Sequence, residues 1–352
     1  MTVINNIEIG EFKAAPLRGA DSESNDNIGY NTNETRLAII NNVPIEDKLH
    51  VIAVVSNPCL YAIRYILMRE FIKRMEMDES DVILYVVEMA YKEQKFIITD
   101  SKNPRHLQLR TEHPLWHKEN MINLGVKYLL PDDWKSMAWI DADIEFENNT
   151  WAMDTLKILN GSKDVVQLFS HCVDMNKKKE AMQIFTSFGY QYVKKNPYAN
   201  GPNFWHPGYA WACNRKAYEK MGGLYDKGIL GAGDNITAMC LIGKGVKSVY
   251  AKGTDEYRRS ITEYEKKVSN LRVGYVPGVI RHHYHGAKKN RRYMERWDVL
   301  IKYQYNPYNH IMKNEYGLLV PTQHCCVEFL NDIMNYFIER NEDEDFVEYG
   351  AL

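Results

Sequence analysis

The sequence predicts an α/β protein with a mostly parallel sheet covered by helices. Three observations carry this reading. Apolar runs of strand length alternate with stretches of helical periodicity between His50 and Phe146. The runs are continuous, as in strands buried on both faces. Several of them end in polar residues, which places ligand-binding groups beyond the carboxyl ends of the strands.

LHVIAVVSNP is the first strand, closed by Asn57 and Pro58. YAIRYILMREFIKRME follows, with Ile63, Ile66, Leu67, Phe71 and Met75 at helical spacing and charges between them. DVILYVVEMA and KFIITD supply further strands, Glu88 coming late in the first of these. PLWHKENMINLGVKYLL is a second amphipathic helix, and KSMAWIDADIEF is the next strand, carrying Asp141 and Asp143. After DVVQLFSHCVDM the alternation fades into a stretch rich in Gly, Asn and aromatics, residues 194–235, which reads as loop. It offers Trp205, Tyr209 and Trp211 as flat apolar walls for a substrate. VPGVIRHHYHGAKKNRRYMERW then packs three histidines and six basic residues into a short span. CCVEFLNDIMNYFIERNEDEDFVEYG reads as an amphipathic helix with an acidic end.

The domain organisation follows from the same pass. Residues 1–47 are rich in Asn, Ser, Asp and Gly and read as a loosely ordered extension or docking arm. Residues 48–310 form the main domain, and 311–352 a C-terminal helix and acidic tail. A chain of 352 residues with 45% hydrophobic content can bury one large core or two modest ones. Lys+Arg of 44 against Asp+Glu of 46 gives a formal charge of −2, so no global basic field draws it to nucleic acid or anionic lipid. The six cysteines show no C-x-x-C pair, which fits a reducing cytoplasm. The first residues lack a basic region followed by an apolar one, and no segment reaches the ~18 apolar residues of a membrane span. A cytoplasmic protein without a membrane span is expected.

Asp141 and Asp143 emerge from an apolar strand flanked by Ile140 and Ile144. Paired aspartates at a strand end also cap helices and satisfy turn amides. Hard divalent cations, however, take one or two carboxylates together with phosphate oxygens. A histidine in the HHYHG turn would add a nitrogen ligand and tilt the choice from Mg²⁺ towards Mn²⁺. Strand periodicity places His283 and His285 on one face, with His285 the favoured ligand and His283 the second choice. Lys288, Arg291 and Arg292 follow closely and are placed to neutralise a diphosphate, although a basic run is more often a solvated face. Asp234, between Gly233 and Asn235, fits either a helix cap or a general base.

In this order the features resemble a glycosyltransferase of the type-A nucleotide-sugar fold, and specifically family 2 glycosyltransferases and the galactosyltransferase carboxyl-terminal domain. Trp211, Gly222, Gly223, Gly231, Gly233 and Asp234 match that group's Trp, paired-Gly and Gly-rich turn with its catalytic acid. LWHKENMINLG and HHYHGAKKNRRYMERW resemble blocks in uncharacterised glycosyltransferases of phages, large viruses and bacteria. The resemblance spans roughly residues 48–310. It implies a Rossmann-like nucleotide-sugar-binding sheet and an inverting, hexosyltransferase-like enzyme that uses Mn²⁺ or Mg²⁺. For a viral chain it also implies the host cytoplasm.

Residue by residue, it implies Asp143 as metal ligand and Asp141 as a ribose or metal-water contact. Glu88, Asn57 and Pro58 fall to the nucleoside, Lys118 and Asn120 to the donor sugar and phosphate. Asp234 is the implied base, with Trp205, Tyr209, Trp211 and Gly233 around the acceptor. A UDP-sugar heads the donors; a glycan, glycoside, protein or modified nucleic-acid base fits as acceptor. Two departures stand out: Gly-Asp-Asn replaces Glu-Asp, and the first strand lacks an Asn-Glu acceptor signature. Two other classes couple acids to a divalent ion or bind the same donor. A nucleotidyltransferase or phosphoesterase would need a second acidic cluster, and a non-catalytic binder would never release nucleoside diphosphate.

Overall fold

The computed structural model describes residues 46–77, 79–196, 205–292 and 295–344. The expected N-terminal extension lies outside them apart from its last two residues, as does the end of the acidic tail. The first part of the chain runs β1 (Leu49–Ser56), α1 (Ala62–Met77), β2 (Val82–Tyr91), β3 (His106–Thr111), α2 (Lys118–Leu129) and β4 (Ser136–Ile140). These strands pair in parallel in the order β4-β1-β2-β3, which requires helical crossovers. The continuous apolar run of β1 has the expected cause. Leu49, Val51 and Ala53 pack with Met68 and Phe71 of α1, while Ile52 packs on the other face with Met121 and Leu124 of α2. Each such buried side chain stabilises the fold by roughly 1.5–3 kcal/mol. Within α1, Ile66 is 46% exposed and Met68 takes the core position instead.

KFIITD is not a strand. Residues 95–100 are loop, and the third strand is HLQLRT, which begins eleven residues after Lys95. KSMAWIDADIEF divides in two. β4 ends at Ile140, and β5 (Ile144–Phe146) belongs to a different sheet.

The chain continues through α3 (Trp151–Leu159), β6 (Val165–Gln167), β7 (His171–Met175), β8 (Ala181–Ser187), α4 (Phe188–Val193), β9 (Trp205–His206) and β10 (Ala210–Asn214). The stretch expected as loop therefore contains a central strand. β10 lies antiparallel between β4 and β6 because AWACN is short, apolar and buried. After α5 (Arg215–Met221), α6 (Gly233–Leu241) and α7 (Asp255–Val268), β11 (Val273–Tyr275) closes a seven-stranded sheet, β11-β6-β10-β4-β1-β2-β3. All of its pairings are parallel except those of β10. β12 (Val279–His282) joins a second sheet, β5-β12-β7-β8-β9. The chain ends with α8 (Arg296–Lys302), the pair β13 (Ile311–Lys313) and β14 (Leu319–Pro321), and α9 (Val327–Glu339). The predicted α/β class with a mostly parallel, helix-covered sheet is the one found. No described helix is long and apolar enough to cross a membrane.

His117, buried just before α2, gives a stability prediction. Burial disfavours its charged form and lowers its pKa from the ordinary 6.5 to about 4. The unfolded chain then binds the proton more readily, so the contribution of His117 is complete above pH 6.5 and is lost as pH falls towards 4. The loss is roughly 3 kcal/mol. The melting temperature should drop between pH 7 and pH 4.5 by several degrees more in the wild type than in His117→Phe. Equal drops would contradict this.

Candidate active site

The two aspartates sit where the chain passes from one sheet to the other, and they face different partners. Asp143 Oδ2 lies 2.8 Å from His285 Nε2 and 3.6 Å from His282 Nε2. Its Oδ1 is buried without a hydrogen-bond partner among the described residues. One ligand atom from each of Asp143, His282 and His285 falls within 4.8 Å of the others. His282 Nδ1 donates to Asp174 Oδ1 at 2.6 Å, which orients the ring with Nε2 towards Asp143. Lys288 in turn pairs with Asp174. Ring orientation by a buried carboxylate is the usual support of a metal-binding histidine.

The electrostatics agree. Burial alone would raise the Asp143 carboxyl, but His285 and His282 outweigh it and hold it well below the usual range. Burial likewise opposes charge on His282, yet Asp143 and Asp174 raise its pKa. Arg291 Nη2 lies 2.7 Å from the same His285 Nε2 that faces Asp143. One nitrogen cannot both accept from Arg291 and donate to Asp143. A cation on the Nε2 lone pair would take the place of the Arg291 contact, and the donor set of two imidazole nitrogens and one carboxylate suits a divalent ion of intermediate hardness such as Mn²⁺.

His283 is not in this set, contrary to expectation. Its ring meets Glu145 at 3.1 Å, and its backbone N–H donates to Asp143 O. The alternation that paired it with His285 fails because β12 stops at His282 and the chain then turns. Asp141 also stands apart from the set. Its Oδ1 accepts from Lys118 Nζ at 2.6 Å, and the same ammonium lies 3.3 Å from Asp234 Oδ2. Burial pushes the Asp141 carboxyl up to about 6, against the pull of Lys118.

Asp234 occupies the first turn of α6, where the helix N-terminus favours a carboxylate. The cap position belongs to Ala232, which makes no side-chain cap bond, so Asp234 is not the helix cap. Gly208 leaves room for it, since a Cβ there would lie 3.2 Å from Asp234 Oδ2. Lys118, Glu119, Trp211, Gly233 and Asp234 line one small cavity. Trp211 reaches it from the core, stacked on Trp139 at 6.4 Å. Burial, and after it the charge of Asp234, raises the Glu119 carboxyl to about 8.

The other expected wall residues lie elsewhere. Trp205 packs edge-on against Phe188 in the core. Tyr209 stacks on His206 and leans over His282. Among the expected nucleoside contacts, Glu88 accepts from the backbone N–H groups of Ile97, Ile98 and Thr99 and from the Thr99 hydroxyl, which pins that loop. Asn57 closes the β1–α1 turn through both its hydrogen bonds with Tyr61, and Pro58 O accepts from Gln94. Asn120 is bonded to Gly317 O and the Leu319 N–H, joining α2 to β14. In the basic run, Arg292 pairs with Glu339 rather than facing the aspartates.

Sequence reasoning missed His282, Asp174, Glu119 and Gly208. His282 and Asp174 share a cross-strand register, since β12 and β7 pair them directly. Nothing in the sequence shows that pairing, which the fold alone makes.

No protein-family profile matches the chain, and no curated protein matches it in sequence. Among solved structures, a Drosophila β-1,4-galactosyltransferase 7 in complex with manganese, UDP-Gal and xylobiose aligns at 12% identity, with a TM-score of 0.37. The alignment covers 81% of this chain and 98% of that one. A mannosyltransferase from Pyrobaculum calidifontis in complex with GDP-Man and Mn²⁺ aligns at 13% identity and a TM-score of 0.37, over 77% of this chain and 68% of the other. Likeness at this level is no argument for a shared activity.

Proposed function

We propose that the protein is a divalent-metal-dependent glycosyltransferase that moves a sugar from a nucleotide-diphosphate sugar to an acceptor hydroxyl with inversion. The observation that carries this is the division of labour across Asp141–Ala142–Asp143. Asp143 joins two histidines in a buried ligand set, while Asp141 is tied through Lys118 to Asp234. The candidate metal ligand Asp143 thus lies two residues from Asp141, and one ammonium, that of Lys118, joins Asp141 to Asp234, the carboxylate suited to proton removal.

Asp143, His282 and His285 would hold Mn²⁺ or Mg²⁺, which when bound stabilises charge on the departing diphosphate. Lys118, kept protonated by Asp141 and Asp234 despite its burial, adds a fixed positive charge beside the same phosphates. Asp234, in the first turn of α6 and beside Lys118, is the acceptor of the hydroxyl proton. Attack from the Asp234 side opposite the leaving group inverts the anomeric carbon. A UDP-sugar is the first donor to test.

The test is cooperative binding. A nucleoside diphosphate and Mn²⁺ together should raise the melting temperature by more than the sum of their separate shifts, because each completes the other's site. Strictly additive shifts across UDP, GDP and ADP would remove the shared site.

A further inference from the structure

The segment that follows α9 runs directly behind the candidate metal ligands. Glu342 is 1% exposed and is held by three cationic contacts. It accepts from Arg64 Nε at 2.5 Å and Arg64 Nη2 at 2.7 Å, and from Arg340 Nε at 2.7 Å. Its Oε2 lies 3.9 Å from His285 Nδ1, on the far side of that ring from Asp143. Gly286, next to His285 and with φ +93°, packs so closely on this backbone that a Cβ would fall 2.9 Å from Glu342 Cα.

Neighbouring contacts hold the segment in place. Asp343 accepts from the first N–H groups of α1, Ala62 and Ile63, and Tyr336 donates to Arg291 O. Asn290 donates to Glu344. Arg64 also donates to Ser56 O at the end of β1, and its charge lies within reach of both Asp143 and Arg291. A guanidinium so placed repels a divalent ion unless something cancels it.

We propose that Glu342 is a positioning residue of the metal site, which cancels the charge of Arg64 and backs His285 so that a divalent cation can enter beside Asp143. This rests on the metal reading given above. It assigns a role to the acidic end of the chain, where no ligand was expected.

Mn²⁺ affinity, measured by electron paramagnetic resonance of free Mn²⁺ in a titration without nucleotide, tests it independently of turnover. Glu342→Gln should weaken binding about tenfold, the lower end of the effect of losing a support to a metal ligand. Arg64→Gln should strengthen binding a few-fold, because it removes the repelling charge and leaves the carboxylate. The double variant should recover affinity to within about threefold of the wild type. A brace that merely holds the fold predicts the opposite for the last two: Arg64→Gln no tighter than wild type, and the double variant no better than Glu342→Gln. Either result overturns the proposal, and the Arg64→Gln arm decides even if Glu342→Gln does not fold. Absence of Mn²⁺ binding to the wild type removes the site itself, a failure distinct from equal affinities in wild type and variants.

Discussion

Replacing Asp143 by Asn is expected to abolish metal-dependent turnover while the protein stays folded. Asp143 is the single carboxylate of its ligand set, and it is held ionised by His282 and His285. An amide of the same size keeps the shape but supplies no charge, so Mn²⁺ affinity should fall by about 100-fold or more. The fold survives because the structural bond at this position, from His283 N–H to Asp143 O, is made by backbone. His282→Ala should weaken binding by about 10- to 100-fold, and His283→Ala should leave it nearly unchanged. Titrating Mn²⁺ into the three variants and assaying donor hydrolysis checks the whole set. Wild-type turnover in Asp143→Asn would remove the central claim, and a larger loss in His283→Ala than in His282→Ala would show that the ligand set is wrong.

Asp234→Asn is expected to lower transfer by roughly 10²-fold while nucleoside diphosphate binding with Mn²⁺ hardly changes. The variant keeps the size of the side chain but cannot take a proton. It loses half of the ion pairing at Lys118, which retains Asp141 at 2.6 Å. The melting temperature should move little, since Ala232 and not Asp234 occupies the cap position of α6. The favourable placement of a carboxylate in the first helical turn contributes only about 0.3–1 kcal/mol. Nuclear magnetic resonance of the wild-type product supplies the stereochemical half of the test. An unchanged transfer rate would return Asp234 to a structural role, and a retained anomeric configuration would exclude direct displacement even if the rate fell.

The parallel half of the sheet was legible because its strands lie at the centre, where both faces must be apolar. β1 and β4 announce themselves for that reason. β10 is equally central but hidden, since AWACN is short and follows His-Pro-Gly, which reads as loop. KFIITD shows the converse error. Its apolar letters are real, but its backbone N–H groups bond to the carboxylate of Glu88 instead of to a neighbouring strand.

At the site, Asp143 and His285 were legible from residue type and position, and Asp234 from its glycine setting. His282 was not, because the two-residue alternation assumed to run through HHYH ends with the strand at His282. Asp174 was hidden by distance, since it stands 108 positions from the ring it orients. Glu342 was hidden by composition. An acidic run at a chain end reads as solvated, and nothing in its letters shows that Arg64 waits for one of them.

The passage between the sheets is shorter than the sequence suggests. Asp141 N–H still donates to Tyr209 O, which continues the ladder of β4 with β10, and Asp143 O still accepts from His283, which continues that of β5 with β12. Ala142 is therefore the whole of the join. Length here is constrained far more tightly than identity: exchanging Ala142 for another small residue alters little, whereas inserting one residue leaves each ladder intact and slides the carboxylates out of step. The letters around this junction can thus change as long as their count is kept.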